Sequence, residues 1–286
     1  KCMKSPNQNK FFIINFIFFL VFSSAYIETE DELENVFSVH DQSLLSVLYM
    51  QTSAEFIANN LQVYENAAKA IDLALSDKSW SAAIEQNGDF SEKLPAIIID
   101  VDETVLDNSP YQARAIKDNF GYPNGWIEWG LEESASSVAG AKKFLDYAKS
   151  RDVKIFYVTN RVPELREATI NNFKKVNIPF NEKDDVLFMR DINKDKTNRR
   201  IAIAEEHRIL LLIGDQLTDF ISMKESTKDF NQRREIATKY HDMWGKKWFI
   251  ITNPVYGRWE DSLYDFERPD SINELVKKRK ASLNTK

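Results

Sequence analysis

The sequence predicts an α/β fold in which a doubly wound parallel sheet is covered by helices on both faces. Five short apolar runs are the predicted strands, at 96–101, 153–159, 186–189, 209–214 and 248–252. Between several of them lie amphipathic stretches, near 138–150, 164–176 and 198–207. Strands that are apolar throughout and alternate with helices are typical of a parallel sheet buried on both sides. Ligands of such sheets bind at the carboxyl ends of the strands.

Before the first strand, residues 26–94 predict an N-terminal helical addition. From Asp41 to about Leu75 apolar residues recur three or four positions apart, and neither Pro nor Gly interrupts them. The predicted apolar face consists of Ile57, Leu61, Tyr64, Ala68, Ile71 and Leu75. This spacing describes one face of an α-helix. The segment is therefore one long helix or two packed helices, with a scaffolding role.

The first 25 residues have the pattern of a secretory signal peptide. Lys4 and Lys10 precede an apolar run at 11–22, and three small residues follow it at 23–25. The run is shorter than the ~20 residues that a transmembrane helix needs. We therefore expect a protein exported to the periplasm or the medium, with residues 1–25 removed. A retained membrane anchor is the alternative.

Composition excludes several classes of function. The net charge is −6, and it becomes −9 without residues 1–25, because that segment holds three Lys and no acids. An acidic surface disfavours binding to nucleic-acid polymers and to anionic lipid. Cys2 is the only cysteine, so disulfides and cysteine metal sites are excluded. Since no cysteine follows the apolar run, we also expect no stable membrane anchor.

Polar side chains follow the predicted strands at the points where the strands end. In chain order, the candidate site residues are Asp100, Asp102, Thr159, Asn160, Arg161, Lys196, Asp215 and Asp219. Lys196 differs from the others, because it lies just before the helix that precedes the fourth strand. Because parallel strands bring their carboxyl ends to one edge of the sheet, we expect these side chains to converge. Acids, a hydroxyl and a lysine at one place indicate a metal site that handles phosphate.

The carboxylates in this set require a cation, because several of them a few ångströms apart repel one another strongly. Oxygen ligands suit Mg²⁺, so the candidate metal residues are Asp100, Asp102, Asp215 and Asp219. A solvated acidic turn is the simpler interpretation of the first cluster. A calcium-binding loop is excluded by spacing, because its sixth position would be Val105 instead of Gly.

Phosphoryl transfer gives each of the other candidates a role. Asp100 is placed as a nucleophile, and Asp102 as the acid that protonates the leaving oxygen and later deprotonates water. Lys196 and the Thr159 hydroxyl would bind oxygens of the phosphoryl group. Asn160 and Arg161, which follow Thr159, are candidate substrate-binding residues; for Arg161 we expect assistance in phosphate binding.

Four segments resemble the motifs of the haloacid dehalogenase superfamily: "DVDETVLDNSPY", "YVTNR", "DKTNRR" and "LIGDQLTDF". More narrowly they resemble its bacterial class C acid phosphatases, a group that includes lipoprotein acid phosphatases acting as 5′-nucleotidases. The segment "NPVYGRWE" at 253–260 is similar to that family's C-terminal segment. The resemblance implies a haloacid dehalogenase-like core at 95–286, with a small cap insert around 112–137.

The resemblance implies the same nucleophile, acid/base and phosphate-binding residues as the chemistry above. Its implied metal ligands are Asp100, the backbone carbonyl of Asp102, and Asp215, with Asp219 in a supporting position. Gln216 stands where Asn is usual in the family. Its side chain is not expected to bind metal, so the difference casts little doubt on catalysis.

Aromatic residues are the candidates for setting the substrate. The resemblance favours substrate contacts for Trp126, in a predicted loop at 122–130, and for Tyr256. Aromatic rings bind nucleobases by stacking, worth ~1–3 kcal/mol per base. For Trp129 and Trp259, substrate contact and ordinary packing remain equal alternatives.

Histidine chemistry is not supported. His40, His207 and His241 lie outside every motif, and no R-H-G sequence exists. His207 falls in a predicted amphipathic helix, where a surface or packing role is expected. For Arg200 we expect a solvated helix face.

The sequence therefore predicts an exported, Mg²⁺-dependent acid phosphatase acting through an aspartyl-phosphate. Its expected substrates are small phosphate monoesters, namely nucleoside 5′-monophosphates and aryl phosphates, and the family implies a preference for acidic pH. A phosphotransferase of the same family is one alternative, because it shares the intermediate and differs only in the acceptor. A non-catalytic phosphate-binding or storage relative is the other. A homo-oligomer is compatible with the sequence.

Overall fold

The computed structural model describes residues 39–286, and Ser43–Lys286 form one compact unit. The predicted signal peptide lies outside the described residues. The strands are β1 (Leu94–Ile99), β2 (Leu106–Asp107), β3 (Ser136–Ser137), β4 (Lys154–Val158), β5 (Leu187–Phe188), β6 (His207–Gly214) and β7 (Trp248–Ile250). Five of them form a parallel sheet in the order β5-β4-β1-β6-β7, and β2 pairs with β3 antiparallel.

Helices connect and cover these strands. The α-helices are Leu44–Thr52, Ala54–Ser76, Ser109–Lys117, Trp126–Glu132, Ala141–Ser150, Arg166–Lys175, Thr197–Glu206, Met223–Ser226, Phe230–Lys239, Arg258–Asp261 and Ile272–Ala281. Short 3₁₀ helices lie at Val39–Ser43, Pro163–Leu165, Leu217–Asp219 and Ser262–Tyr264. The predicted α/β fold is therefore confirmed: strand order reverses around β1, as in a doubly wound sheet.

The central strand β1 is buried on both faces. Ile97 and Ile99 belong to one apolar cluster, whereas Ala96 and Ile98 belong to another. Successive side chains of a strand point to opposite faces, so these two clusters are the cores above and below the sheet. Burying one such isoleucine contributes about 1.5–3 kcal/mol. The run of apolar residues before Asp100 thus fixes that aspartate at the edge of a rigid sheet.

The N-terminal segment consists of two helices that meet at Ser53. The Ser53 hydroxyl accepts a hydrogen bond from the Phe56 amide (3.1 Å) and so starts the second helix. Part of the predicted apolar face is wrong: Ile57 and Leu61 are 45% and 49% exposed. The buried face of this helix includes Tyr64, whose hydroxyl donates to the Thr104 carbonyl (2.6 Å) in the loop after β1.

The insert that we predicted around 112–137 contains the helix Trp126–Glu132 and strand β3, which pairs with β2 on the segment before the insert. Trp126 was predicted to lie in a loop, but it is the first residue of the helix Trp126–Glu132. His207 also differs from its prediction, because it is the first residue of β6 and not part of a helix. Within residues 39–286, the structure has no helix that combines the length and the hydropathy of a membrane span.

Candidate active site

Two of the predicted catalytic residues, Asp100 and Thr159, lie at the carboxyl ends of adjacent strands. Asp100 follows β1, and its amide donates to the Ile213 carbonyl on β6 (2.9 Å). Thr159 follows β4, and its amide donates to the Phe188 carbonyl on β5 (2.9 Å). The sheet hydrogen bonds thus continue into the loops, so the side chains there are held by the sheet itself.

Lys196 joins two of the acids. Its ammonium donates to Asp100, and it donates to Asp219 at 2.6 Å from Nζ to Oδ1. All three side chains are buried. Lys196 is the residue before the helix Thr197–Glu206, and its side chain connects the start of that helix to the two carboxylates.

Asp100, Asp215 and Asp219 each bring one carboxylate oxygen to a group in which all these atoms lie within 4.8 Å of one another. Gly214 allows this approach, because a Cβ at that position would lie 2.2 Å from Asp219 Oδ2. The Asp219 carboxylate also accepts a hydrogen bond from the Gln216 amide (2.8 Å), which closes the turn after β6. Three acids thus surround one point at the end of the sheet.

The local charge is unbalanced. Burial raises the pKa of Asp100 well above its ordinary range, and Asp219 and Asp215 raise it further, while Lys196 opposes them. Burial, followed by the charge of Asp219, raises the pKa of Asp215 to about 6. Burial alone would lower the pKa of Lys196, but Asp100 and Asp219 outweigh it and the pKa is raised. One cation does not neutralise three carboxylates.

This donor set fits a hard divalent cation. All three donors are carboxylate oxygens, which Mg²⁺ and similar ions prefer, and close carboxylates with raised pKa values are stabilised in their charged form by a bound cation. Two amides fix the orientation of Asp215, because Asn253 (2.8 Å) and Gln216 (2.9 Å) both donate to its Oδ2. Asn253 was not among the predicted site residues.

The side chain of Asp102 is bound by residues outside the group of three acids. Its Oδ1 accepts hydrogen bonds from Arg161 Nε (2.9 Å) and from Asn108 Nδ2 (2.9 Å). The Thr159 hydroxyl donates to its Oδ2 over a longer distance, 3.3 Å. The carboxylate therefore does not join the metal group in this structure, although Asp102 was a predicted metal residue. This arrangement is compatible with a ligand role for its backbone carbonyl alone.

Asn160 and Arg161 are both engaged with the protein. Arg161 is buried and donates to Asp102, Thr169 and Asn108. The Asn160 side chain donates to the Lys194 carbonyl (3.0 Å) and accepts from Arg199 (2.8 Å).

Sequence reasoning missed Arg199. This buried side chain donates to the Thr159 carbonyl (2.6 Å) and to Asn160, so it holds the loop after β4. The only signal was its place in the segment "DKTNRR", one helical turn after Lys196.

The prediction of a solvated Arg200 was wrong. Its side chain is fully buried and pairs with Glu85 at 2.5 Å. It also donates to the carbonyls of Thr218 (3.0 Å) and Asp219 (3.3 Å). Arg200 therefore supports the loop that carries Asp219, a function that helical periodicity does not reveal.

The four aromatic candidates have different environments. Trp129 is buried and donates from its indole to Asn108 (2.9 Å), which favours packing over substrate contact. Trp126 is half-buried, with the Arg161 guanidinium 5.7 Å from its ring centre. Tyr256 is half-buried, and its hydroxyl donates to Glu103. Trp259 is 42% exposed.

Comparison with known proteins agrees with this fold. A family model described as HAD superfamily, subfamily IIIB (acid phosphatase), matches residues 29–259. The chain therefore belongs to this family of haloacid dehalogenase superfamily phosphatases. The match spans most of the chain and includes all the predicted site residues.

Two solved structures are similar over nearly their whole length. The structure of the class C acid phosphatase from Bacillus anthracis is 35% identical, with a TM-score of 0.77, and the match covers 87% of this chain and 99% of that one. A crystal structure of class C acid phosphatase from the same organism with tungstate bound gives 35% identity and a TM-score of 0.77, over 86% and 98% of the two chains. The predicted resemblance to class C acid phosphatases is confirmed.

These findings make the chain a phosphomonoesterase whose substrates are small phosphate monoesters. Phosphatases of this superfamily generally use a divalent metal, and the group of Asp100, Asp215 and Asp219 could bind one. The catalytic roles of individual residues stay predictions, and the contacts of each side chain indicate which role it could have.

Proposed function

We propose that the protein is an exported, Mg²⁺-dependent acid phosphatase that hydrolyses nucleoside 5′-monophosphates and aryl phosphates through an aspartyl-phosphate. The observation that carries this proposal is the buried arrangement of Asp100 between Lys196 and two further carboxylates. A nucleophile, a cation for the phosphoryl group and a set of metal ligands thus occur at one point.

In the first step, an Asp100 carboxylate oxygen attacks phosphorus, and the bond from phosphorus to the ester oxygen breaks. Asp102 gives a proton to that oxygen, which leaves as the alcohol. In the second step, water attacks the phosphorus of the aspartyl-phosphate while Asp102 accepts its proton, and Asp100 leaves with inorganic phosphate as the other product. We assign the proton to Oδ2 of Asp102, because Oδ1 is already bound by Arg161 and Asn108.

Other residues would bind and orient the phosphoryl group. The Lys196 ammonium stabilises the charge that develops on its oxygens, at a site where water is largely excluded. The Thr159 hydroxyl donates to a second oxygen once it releases its long hydrogen bond to Asp102. Arg199 holds the loop that contains Thr159 and Asn160, and thereby keeps that hydroxyl in place.

Mg²⁺ would be held by Asp100, Asp215 and the backbone carbonyl of Asp102, with Asp219 supporting the site. When bound, the ion would neutralise negative charge on the phosphoryl group and on the carboxylates. Asn253 and Gln216 keep the Asp215 carboxylate oriented for this role. The tungstate bound in one similar structure is a tetrahedral oxyanion, as phosphate is, which supports a phosphate-binding site.

Trp126 and Tyr256 are the proposed contacts for an aromatic leaving group. Both are half-buried, and each is tied to a residue of the catalytic loops, Trp126 next to Arg161 and Tyr256 through Glu103. Export is supported by the apolar run at 11–22. We keep a homo-oligomer and the absence of a stable membrane anchor as predictions, together with the boundaries 26–94 and 95–286.

The nucleophile is tested by Asp100→Asn, assayed with an aryl phosphate in the presence and absence of Mg²⁺. Because the amide is a poor nucleophile, we expect kcat to fall by at least about 10³-fold. Asp152→Asn, at an exposed turn, is the matched control and should keep the parent rate. Near-normal turnover by Asp100→Asn would rule out the aspartyl-phosphate.

The substrate class is tested by comparing nucleoside 5′-monophosphates with ethyl phosphate, which has no ring. Stacking predicts that Tyr256→Ala lowers kcat/KM for nucleotides relative to ethyl phosphate by about tenfold, or ~1.4 kcal/mol. An unchanged ratio for every nucleotide would exclude Tyr256 from substrate selection while leaving the role of Asp100 untouched.

A further inference from the structure

Glu103 is a buried acid that the proposed chemistry does not use. It follows Asp102 in the loop after β1, and only 2% of its surface is exposed. Its carboxylate accepts hydrogen bonds from the Asn108 amide (3.1 Å) and from the Tyr256 hydroxyl. Within residues 39–286, none of the ion pairs involves Glu103. Removing a carboxylate from water without a paired cation is unfavourable, so the hydrogen bonds to Glu103 offset a large share of that free-energy cost.

The backbone at Glu103 is also unusual. Its φ is 56°, in the left-handed region that residues with a Cβ rarely adopt. The Glu103 amide donates to the Leu106 carbonyl (2.8 Å), which closes a tight turn around this conformation. A turn that needed only this backbone shape would be built more easily with Gly or Asn. We therefore infer that the Glu103 side chain has a role beyond the turn. Its hydrogen bond to a residue outside this loop is the one from the Tyr256 hydroxyl.

The other end of Tyr256 is fixed as well. Asn253 Oδ1 accepts from the amides of Val255 (3.0 Å) and Tyr256 (3.4 Å). Gln216 Nε2 donates to the Tyr256 carbonyl (3.4 Å), and Gln216 Oε1 accepts from the Arg258 amide (3.2 Å).

Gly257 makes room for the Gln216 side chain. A Cβ at Gly257 would lie 2.3 Å from Gln216 Oε1, and its φ of 138° also favours glycine. The backbone of this segment is thereby held against the same two amides, Asn253 and Gln216, that orient Asp215. Tyr256 is thus a ring held at both ends, by its backbone and by its hydroxyl.

We propose that Glu103 is a positioning residue that sets the orientation of the Tyr256 ring and thereby the preference for substrates with an aromatic leaving group. The proposal rests on the proposed function, in which Tyr256 contacts that group. It goes further because it assigns the selectivity to a buried carboxylate that touches no substrate, and to the tyrosine hydroxyl as well as to its ring. Any ring at this position would stack, but only a tethered tyrosine would present a fixed face.

The test is a double-mutant cycle with Tyr256→Phe, which keeps the ring and loses the tether, and Glu103→Gln, which keeps the size. In Glu103→Gln the one acceptor oxygen is taken by the Asn108 amide, so an NH₂ group that cannot accept faces the Tyr256 hydroxyl. The measured quantity is the ratio of kcat/KM for a nucleoside 5′-monophosphate to that for ethyl phosphate. We expect each single variant to lower this ratio by about five- to tenfold, mainly through KM for the nucleotide. A change of this size corresponds to the loss of one hydrogen bond. The double variant should be no worse than the more affected single variant, since both changes break the same contact.

A matched control comes from Tyr147, whose hydroxyl donates to the Asp72 carboxylate on another helix. Tyr147→Phe removes a tyrosine–carboxylate bond elsewhere in the molecule, so the substrate ratio should stay at the parent value. The melting temperature is measured for all five proteins as a second readout. Non-additive losses of Tm for the two site variants are expected, because they report the contact itself without any substrate.

Three results would overturn the proposal. One is a parent-like ratio for Tyr256→Phe, which needs no variant at the buried position. Another is a double variant whose loss equals the product of the single losses, because the residues would then act independently. The third is non-additive Tm with an unchanged ratio, which would make the contact structural only. Failure of the proposed mechanism is seen separately, in the turnover of Asp100→Asn.

Discussion

Two groups of buried charges involve residues at the start of the helix Thr197–Glu206, and they differ in charge balance. Around Asp100, three carboxylates face one ammonium, and the pKa of Asp100 is raised well above its ordinary range, chiefly by burial. Around Arg200, one guanidinium meets one carboxylate, and its other hydrogen bonds reach two backbone carbonyls and the Thr197 hydroxyl. Excess buried charge therefore indicates a ligand-binding site, whereas balanced buried charge indicates a structural support.

Breaking the balanced group should have the largest effect on stability. Arg200→Met leaves Glu85 without its cation and the carbonyls of Thr218 and Asp219 without donors. Removing one partner of a buried pair costs about 3–5 kcal/mol, so we expect a loss of that size in the free energy of unfolding, measured with denaturant.

The matching control removes both charges. Arg200→Met combined with Glu85→Met should lose less than Arg200→Met alone, because no unpaired charge is then left inside the protein. Additive losses in the double variant would show that the pair is not a unit. A loss below about 1 kcal/mol for Arg200→Met would contradict the structural role of the guanidinium.

Completing the unbalanced group with Mg²⁺ should stabilise the protein. A ligand at 100 times its dissociation constant contributes about 2.7 kcal/mol if it binds only the folded state. For a domain of this size we expect a rise in Tm of about 5–10 °C at pH 7. The rise should be smaller at pH 5, because the raised pKa values of Asp100 and Asp215 mean that protons then compete with the metal.

Asp215→Asn is the control for this measurement, since it removes one proposed ligand and keeps the side-chain size. Its Tm should respond much less to Mg²⁺ at pH 7. An equal response in the variant and the parent would place the metal elsewhere. Na⁺ at matched ionic strength separates this specific effect from screening.

Whether these two groups could be predicted from the sequence depends on how far apart their residues lie along the chain. The apolar run before Asp100 and the acids after it are local, so both β1 and the site at its end could be predicted. The partner of Arg200 lies 115 residues away, at Glu85, and no periodicity links them. Ile57 and Leu61 were predicted on the buried face of their helix but are exposed. Apolar spacing predicts the helix, but this helix has apolar residues on more than one face, so the spacing does not show which face is buried.

The pH dependence of the metal-free protein should show a smaller effect. Burial raises the pKa of Asp215 from 3.8 to about 6, so the folded state binds this proton more tightly than the unfolded state does. The contribution to stability is fully present below about pH 3.8 and is lost as pH rises through about 6. Because Asp215 keeps part of its surface in solvent, we expect a gain of about 1 kcal/mol between pH 7 and pH 5.

Other carboxylates titrate over the same range, so the quantity to measure is the difference between the parent and Asp215→Asn. Unfolding with denaturant at both pH values, without divalent metal, should show a gain in the parent that the variant lacks. If both proteins change equally, the raised pKa does not belong to Asp215.

The smallest effect should come from a pair with balanced charge but full access to solvent. Lys142 and Asp146 form an ion pair one helical turn apart, with 45% and 48% of their side chains exposed. Water and salt weaken such pairs, so we expect Lys142→Ala to change the free energy of unfolding by less than about 0.5 kcal/mol. The pair has the same charge balance as Arg200 and Glu85, but it is exposed, and within residues 39–286 Lys142 has no bonds to carbonyls like those that Arg200 makes. A loss of several kcal/mol here would mean that charge balance, and not removal from water, governs how strongly these groups support the fold.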